Sequence, residues 1–146
     1  MTKRARTGYQ IALDKTTAAL KALVADNGKA EYRLHCQIVE AVERLKVPSL
    51  VFWHTANEGK RTPAQAAAQK AMGLRAGVSD LVFSLPQARM MFMEIKSLKG
   101  KLSPEQRVFF DSMTAHGHIV CVVRSLDEGL HFLTEFGAIR AARVAA

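Results

Sequence analysis

The chain has 146 residues, 49% of them hydrophobic, which is enough for one domain with a packed core. Its formal charge of +8 favours a polyanionic partner, although charge alone does not separate nucleic acid from an anionic membrane surface. No apolar run approaches the roughly 18 residues of a membrane span, and residues 1–6 lack the apolar stretch of a signal peptide. Cys36 and Cys121 provide neither a disulfide framework nor metal-ligand spacing, so we expect two buried thiols in a cytoplasmic protein.

The N-terminal third of the chain predicts two helices. Apolar residues recur at helical spacing over residues 9–25, and Asn27-Gly28 is a typical helix end. In a second helix, over residues 31–46, one face is apolar at 3- and 4-residue spacing: Leu34, Ile38, Val42 and Leu45. We therefore predict that residues 1–30 form a basic extension with a helix and that the main domain begins at residue 31.

The rest of the chain alternates strands and helices. After the helix at 31–46, the predicted elements are a strand at 50–53, a helix at 62–72, strands at 81–83 and 90–96, a helix at 103–116, a strand at 119–123 and a helix at 125–135. This αβαββαβα order predicts an α/β fold, in which a central mixed four-stranded sheet is flanked by helices. The predicted domain covers residues 31–140, and residues 141–146 form a tail.

Two carboxylates and an ammonium group are predicted to meet at one edge of this sheet. Asp80 opens one apolar strand, and Glu94 and Lys96 lie in the next. Because residues i and i+2 of a strand point to the same face, Glu94 and Lys96 project together while Ile95 enters the core. If the two strands pair as a hairpin, Asp80 lies near Glu94, and a divalent cation between them would offset the cost of burying charge. Such a cation beside a lysine suits hydrolysis of a phosphodiester.

These residues and the segments around them resemble the PD-(D/E)xK nuclease superfamily and, more narrowly, its VRR-NUC (virus-type replication-repair nuclease) family, in the stand-alone type found in phages. The resemblance runs from about residue 31 to residue 139 and lies in the order and spacing of several segments. The segments are Glu31, Asn57-Glu58-Gly59, Gly73-x-x-x-Gly77-Val78-Ser79-Asp80-Leu81, Met93-Glu94-Ile95-Lys96 and Gly100-Lys101-Leu102-Ser103-Pro104-Glu105-Gln106. Ser79 and Ala56 stand where the family usually has proline.

The resemblance implies a restriction-endonuclease-like core and an endonuclease that uses Mg²⁺ or Mn²⁺ to cut structured or branched DNA, such as four-way junctions or flaps. It implies that Asp80, Glu94 and the backbone carbonyl of Ile95 hold the metal, with a contribution from Glu31. The implied catalytic residues are Asp80, Glu94, Lys96 and Gln106. Nearby basic residues would bind DNA phosphates: Lys60, Arg61, Arg75, Lys99, Lys101 and Arg107. Stand-alone members of the family imply a homodimer. We expect no membrane partner, and a cytoplasmic location in a bacterial or phage-infected host cell.

Structural roles would also account for several of these residues. Asp80 and Glu94 can form an ion pair with Lys96 that serves only the fold. Glu31 is a favourable acid in the first turn of a helix. Gln106 completes a capping box at the start of its own helix, and this role can coexist with one at the site.

The sequence leaves the function of the chain open between classes. A nucleic-acid-binding module could keep the fold and the positive charge without meaningful catalysis, and a nuclease of the same chemistry could act on RNA. His35 and His54 could lie near the site or serve only the fold. Cleavage of junction, flap, duplex and RNA substrates with Mg²⁺, Mn²⁺ or EDTA separates these functions.

Overall fold

The computed structural model describes residues 8–56 and 59–141, with side chains from residue 25 onward and at residue 22. In chain order its elements are α1 (Gly8–Leu45), β1 (Val51–His54), α2 (Pro63–Ala71), β2 (Leu81–Leu85), β3 (Arg89–Ile95), α3 (Pro104–Ala115), β4 (Ile119–Val123) and α4 (Leu126–Glu135). The predicted αβαββαβα order is confirmed. Outside the described residues lie 1–7 of the predicted extension, Asn57-Glu58 of the loop motif and 142–146 of the predicted tail.

The four strands form one mixed sheet in the order β1-β2-β3-β4. β1 pairs antiparallel with β2, and β2 pairs antiparallel with β3, whereas β3 and β4 run parallel. A parallel pair needs a crossover connection, and α3 provides it between β3 and β4. The hairpin of β2 and β3 is the one predicted to bring the acidic residues together.

The main core lies between the sheet and the helices α1 and α4. Alternate strand residues point into it, and α1 contributes its apolar face. Its most buried members are Ile38, Val42, Leu81, Phe83, Met91, Met93, Val123 and Leu133. Gly129 of α4 packs against Ile38 of α1, and a Cβ at position 129 would lie 3.2 Å from that side chain. Because glycine has no side chain at position 129, α1 and α4 can pack closely against each other.

Helix α3 packs on the opposite face of the sheet. Phe92 of β3 meets Phe109 of α3 edge to face, with ring centroids 5.2 Å apart. Met91 and Met93, on either side of Phe92, belong to the main core. The alternation of the strand therefore places Phe92 and Glu94 on the α3 side, and the predicted arrangement of helices on both faces is confirmed.

The predicted helix end at Asn27-Gly28 is wrong, because α1 is one helix of 38 residues. A glycine that ends a helix usually has a positive φ, and Gly28 is not among the glycines that do. A glycine inside a helix costs only about 1 kcal/mol relative to alanine. The buried residues further along α1, such as Leu34 and Ile38, outweigh so weak a signal. The division of the chain at residue 31 stays a prediction.

None of the residues of helix α2 is buried. The helix begins with a complete capping box, in which Thr62 Oγ1 accepts a hydrogen bond from the Gln65 N–H at 3.2 Å and Gln65 Oε1 accepts one from the Thr62 N–H at 3.0 Å. Pro63 occupies its first turn. In the described part of the chain, α2 lies close to no other helix or strand. Its capping box and its own backbone hydrogen bonds are therefore important for its stability.

The two cysteines are free and differ in burial. Cys121 is buried, as predicted, and burial raises the pKa of its thiol to about 12. The prediction of a second buried thiol is wrong, because Cys36 lies on an exposed position of α1. Among the residues that the structure describes, no helix is both long and apolar enough to cross a membrane.

Candidate metal-binding and catalytic site

The two carboxylates of the β2–β3 hairpin lie side by side. The strand register pairs Leu81 with Met93, so Asp80, just before Leu81, is level with Glu94, just after Met93. Asp80 Oδ2 also accepts a hydrogen bond from the backbone N–H of Ile95 at 2.8 Å. The predicted proximity of Asp80 and Glu94 is confirmed.

The end of β1 holds the backbone at Asp80. The carbonyl oxygen of Asp80 accepts a hydrogen bond from the Thr55 N–H at 3.0 Å and lies 3.0 Å from His54 Nδ1. The Thr55 hydroxyl donates to the carbonyl oxygen of Ser79. β1 therefore positions the main chain of Asp80, while β3 positions its carboxylate.

Glu94 is a buried carboxylate, only 2% exposed. Burial, and then the charge of Asp80, raises the pKa of Glu94 from 4.5 to about 7, although Lys96 and Gln106 favour its charged form. Its Oε1 lies 2.7 Å from Lys96 Nζ and accepts a hydrogen bond from Gln106 Nε2 at 2.5 Å. Within the described residues, its buried Oε2 has no hydrogen-bond partner. A cation bound at Oε2 would remove the cost of this unsatisfied oxygen.

Lys96 projects on the same face as Glu94, as the strand alternation predicts. Burial alone lowers the pKa of Lys96, but the hydrogen bond from Lys96 to Glu94 and the charges of Glu94, Glu31 and Asp80 outweigh it and raise the pKa. Lys96 is therefore charged at neutral pH. The ion pair between Lys96 and Glu94, which could serve only the fold, does exist. However, the carboxylate of Glu94 also has an acidic neighbour, Asp80.

Gln106 combines the two roles that the sequence left open. Its backbone N–H donates to Ser103 Oγ at 3.2 Å, and its Oε1 accepts a hydrogen bond from the Ser103 N–H at 2.9 Å, which completes a capping box. Its Nε2 donates to Glu94 Oε1. The cap thus fixes the side chain in the orientation in which its amide group contacts the acidic site.

Gly77 allows α3 to approach the acidic site. Its φ of +84° is in the left-handed region, and a Cβ at this position would lie 2.5 Å from the backbone carbonyl of Glu105 and 2.7 Å from the backbone nitrogen of Gln106. No side chain fits in that space. The loop before Asp80 therefore packs directly against the first turn of α3, which carries Gln106.

Glu31 links α1 to the end of β3. Its Oε1 accepts a hydrogen bond from the Ser97 N–H at 2.8 Å, next to Lys96. Gly100 packs close to this bond, and a Cβ there would lie 3.0 Å from Glu31 Oε1. Glu31 thus has a structural partner, and its predicted contribution to a metal stays a prediction.

The acidic residues lie in a cavity of about 860 Å³. Its lining comes from α1, the end of β1, the segment from residue 61 to residue 80, the end of β3 and the first turn of α3. Four carboxylates line it, from Glu31, Asp80, Glu94 and Glu105, together with four cationic residues, Arg61, Lys70, Arg75 and Lys96. The cavity therefore places an acidic cluster beside groups that can bind phosphate.

The predicted nucleic-acid-binding residues fall into two groups. Arg61 and Arg75 line the cavity. The other four are exposed and lie outside its lining: Lys60, Lys99, Lys101 and Arg107. The binding of DNA phosphates by all six residues stays a prediction, and only two of the six lie beside the acidic cluster.

Sequence reasoning missed two cavity residues with polar side chains, Tyr32 and Lys70. Tyr32 follows Glu31 and precedes His35 by three positions, so helical spacing was a signal for one face carrying all three. Lys70 carried no such signal, because its place in the cavity depends on the path of the chain before and after α2. His35 and His54, left open by the sequence, both line the cavity.

A metal at this site would need ligands besides carboxylates. Within residues 8–56 and 59–141, no three His, Cys, Asp or Glu side chains converge so as to hold a metal ion. Asp80 and Glu94 form a pair, and the backbone carbonyl of Ile95, which the resemblance implies as a ligand, would supply a third oxygen. Two carboxylates plus a carbonyl and water form a ligand set that suits Mg²⁺ or Mn²⁺.

Comparison with known proteins identifies the fold and the family. No curated protein matches the chain. One solved structure, called "VRR_NUC domain protein", has a TM-score of 0.60 and 20% sequence identity, over 73% of this chain and 86% of that chain. A second, called "VRR_NUC domain", has a TM-score of 0.49 and 23% identity, over 73% of this chain and 95% of that chain. The sequence model of the VRR-NUC domain matches residues 15–127, and the chain therefore belongs to this nuclease-related family.

Proposed function

We propose that this nuclease is a Mg²⁺- or Mn²⁺-dependent endonuclease that hydrolyses phosphodiester bonds in structured or branched DNA. The observation that carries the proposal is the buried Glu94 Oε2, which lacks a hydrogen-bond partner in the described chain beside the carboxylate of Asp80. A buried carboxylate beside a second carboxylate is unfavourable without a compensating positive charge, and Lys96 compensates only one oxygen of Glu94.

The residues present fit a hard divalent cation. Asp80, Glu94 and the Ile95 carbonyl would hold it through oxygen, with Glu31 nearby in the same cavity. When bound, the cation polarises the phosphate and favours ionisation of water. Gln106 and Lys96 both contact Glu94 Oε1, so they orient the carboxylate with Oε2 as the oxygen left for the cation.

Lys96 has a second role in this proposal. It is charged, mostly buried and adjacent to both carboxylates. In hydrolysis, the oxygen of water attacks phosphorus, the bond from phosphorus to one sugar oxygen breaks, and negative charge grows on the phosphate. A fixed ammonium group stabilises that charge more in the transition state than in the ground state. Lys96 would therefore contribute mainly to rate and less to affinity.

The cationic residues support a nucleic-acid substrate. Arg61, Lys70 and Arg75 line the cavity, and Lys99 and Lys101 lie exposed on the loop between β3 and α3. Together with the overall charge of +8, these residues suit a polymer of phosphates. The choice of DNA and of branched sites follows the family resemblance.

The test is cleavage of labelled four-way junction, flap, duplex and RNA substrates with Mg²⁺, Mn²⁺ or EDTA. We expect metal-dependent cleavage of the branched DNA, and its loss in Asp80→Asn. Glu105→Gln is the matched control, because Glu105 is an exposed carboxylate of the same cavity outside the contacts of Glu94. Cleavage in EDTA or by Asp80→Asn would refute the metal site. Binding without cleavage would favour a binding module, and preference for RNA would change the substrate class.

We also propose that two copies act together on branched DNA. One chain carries one acidic cluster of this kind among its described residues, so symmetric cutting of two strands requires two chains. Light scattering during gel filtration measures the mass of the free protein and of its complex with a junction. A single copy in both samples would refute this arrangement.

A further inference from the structure

One part of the cavity is aromatic, and its rings lie outside the contacts of the Glu94 carboxylate. Tyr32 and His35 of α1 and His54 at the end of β1 all line it. The rings of His35 and His54 lie edge to face, with centroids 4.8 Å apart. Tyr32 is 72% exposed although it lies next to Glu31 in the chain. The same turn of α1 therefore presents a carboxylate of the site and an exposed aromatic ring.

The ring of Tyr32 is suited to contact a ligand through its face. The side chain of Tyr32 forms a hydrogen bond with that of Cys36, one turn further along α1. The hydroxyl contact lies along the helix, and the ring itself remains exposed. An exposed neutral ring in a cavity with cationic residues is the combination that proteins use to stack unpaired nucleobases and hold their phosphates.

The burial of Glu94 limits which substrates can use the site. A phosphate must enter the cavity to reach a carboxylate that is only 2% exposed. The cavity volume of about 860 Å³ falls in the range of roughly 300–1,000 Å³ that holds small ligands, which suits a few nucleotides of one strand better than the width of a double helix. Bases in a duplex are stacked on each other, so only an unpaired base can stack on Tyr32.

We propose that Tyr32, next to the edge-to-face pair of His35 and His54, forms a stacking site for one unpaired nucleobase beside the cleaved phosphate. Arg61, Lys70 and Arg75 hold the phosphates of the same strand in the cavity. This inference rests on the proposed nuclease function and adds a condition to it: one nucleotide of the strand to be cut must be unpaired in the complex, as in a flap or where binding opens a branch point.

The test measures binding rather than cleavage, so that it is independent of the catalytic proposal. The probes are a DNA duplex with a short single-stranded gap and the same duplex fully paired, each with a fluorescent label, in EDTA and in Ca²⁺. We expect Tyr32→Ala to weaken binding to the gapped probe by roughly 5- to 100-fold and to leave binding to the paired probe unchanged. Tyr32→Phe keeps the ring and should bind both probes as the wild type does.

Trp53→Ala is the matched control, because Trp53 is 44% exposed and does not line the cavity. It should not affect the difference between the two probes. Equal affinity of Tyr32→Ala and wild type for the gapped probe, or an equal loss for both probes, overturns the stacking site. Circular dichroism confirms that each variant is folded. Absence of metal-dependent cleavage would overturn the proposed function but would not affect the conclusion about base stacking, which depends only on binding.

Discussion

The substitution Glu94→Gln should make the stability of the metal-free protein less dependent on pH. Burial and the charge of Asp80 raise the pKa of Glu94 from 4.5 to about 7. The folded protein therefore holds this proton more tightly than the unfolded chain does. Unfolding releases the proton between about pH 4.5 and about pH 7, so the free energy of unfolding falls as the pH rises through that window. Glutamine has no such proton to release.

The size of the effect follows from the two pKa values. The difference between 4.5 and about 7, at about 1.4 kcal/mol for each pH unit, corresponds to about 3 kcal/mol. Between about pH 5 and about pH 8, most of this difference should appear, so the stability of Glu94→Gln relative to wild type should rise by about 2–3 kcal/mol. Lys96 keeps the neighbouring charges of Asp80 and Glu31 in the variant. Comparing the free-energy difference between variant and wild type at about pH 5 with that at about pH 8 removes any contribution that does not depend on pH.

Urea unfolding in EDTA measures this effect, with the fluorescence of Trp53 as the signal, because it is the one tryptophan of the chain. Glu105→Gln is the control. Backbone hydrogen bonding and the Ser103 hydroxyl lower the pKa of Glu105, so removing that carboxyl should not change how the free energy of unfolding depends on pH within this window. At about pH 8, Mg²⁺ should stabilise the wild type and have little effect on Glu94→Gln, because a ligand stabilises only the state that binds it.

The reasoning would be refuted by a difference between wild type and Glu94→Gln that stays the same, within about 0.5 kcal/mol, at both ends of the pH window. That result would mean that Glu94 is not a buried carboxylate with a raised pKa. The argument that a cation belongs at Oε2 would then lose its energetic basis.

The other predictions concern the support of Glu94 and the division between catalysis and binding. Gly77→Ala forces α3 away from the loop, so it should destabilise the fold by about 1–3 kcal/mol and slow cleavage. Melting temperature and cleavage rate measure these effects, and no change in either would contradict the close approach of the loop to α3. Gln106→Glu places another carboxylate against Glu94, which raises the pKa of Glu94, so the pH–rate profile of cleavage should shift to higher pH. An unshifted profile would mean that Gln106 only caps its helix. Lys96→Ala should reduce the cleavage rate by roughly 100-fold or more with little change in DNA affinity. Lys101→Ala should instead weaken DNA binding and make it less dependent on salt concentration. If Lys96→Ala loses only DNA affinity, Lys96 has no catalytic role.

The sequence was sufficient where one local pattern determined the outcome. Strand alternation placed Glu94 and Lys96 on one face and Ile95 in the core. A short turn between two apolar runs predicted the hairpin, and the hairpin brought Asp80 to Glu94. In each case, the period of two residues or a short connection left few alternatives.

The sequence was insufficient where long-range packing determined the outcome. The helix-ending signal at Gly28 was overridden because the helix continues into a buried face. The need for glycine at position 77 arises from α3, which begins far along the chain, and the partner of Glu31 is a backbone N–H that lies 66 residues away. Such contacts depend on the completed fold, and no local period encodes them.

The exposed helix α2 makes the chain open to proteolysis at a place that reports on ligand binding. Trypsin cuts after lysine and arginine, and Arg61, Lys70 and Arg75 lie before, within and after this helix. A segment with no buried residues opens at small energetic cost, so a protease should cut there long before the sheet unfolds. The same three side chains line the cavity, and a nucleic acid that holds them would block the cuts. Limited digestion therefore reports whether this segment closes on a ligand, even in a variant that cannot cleave.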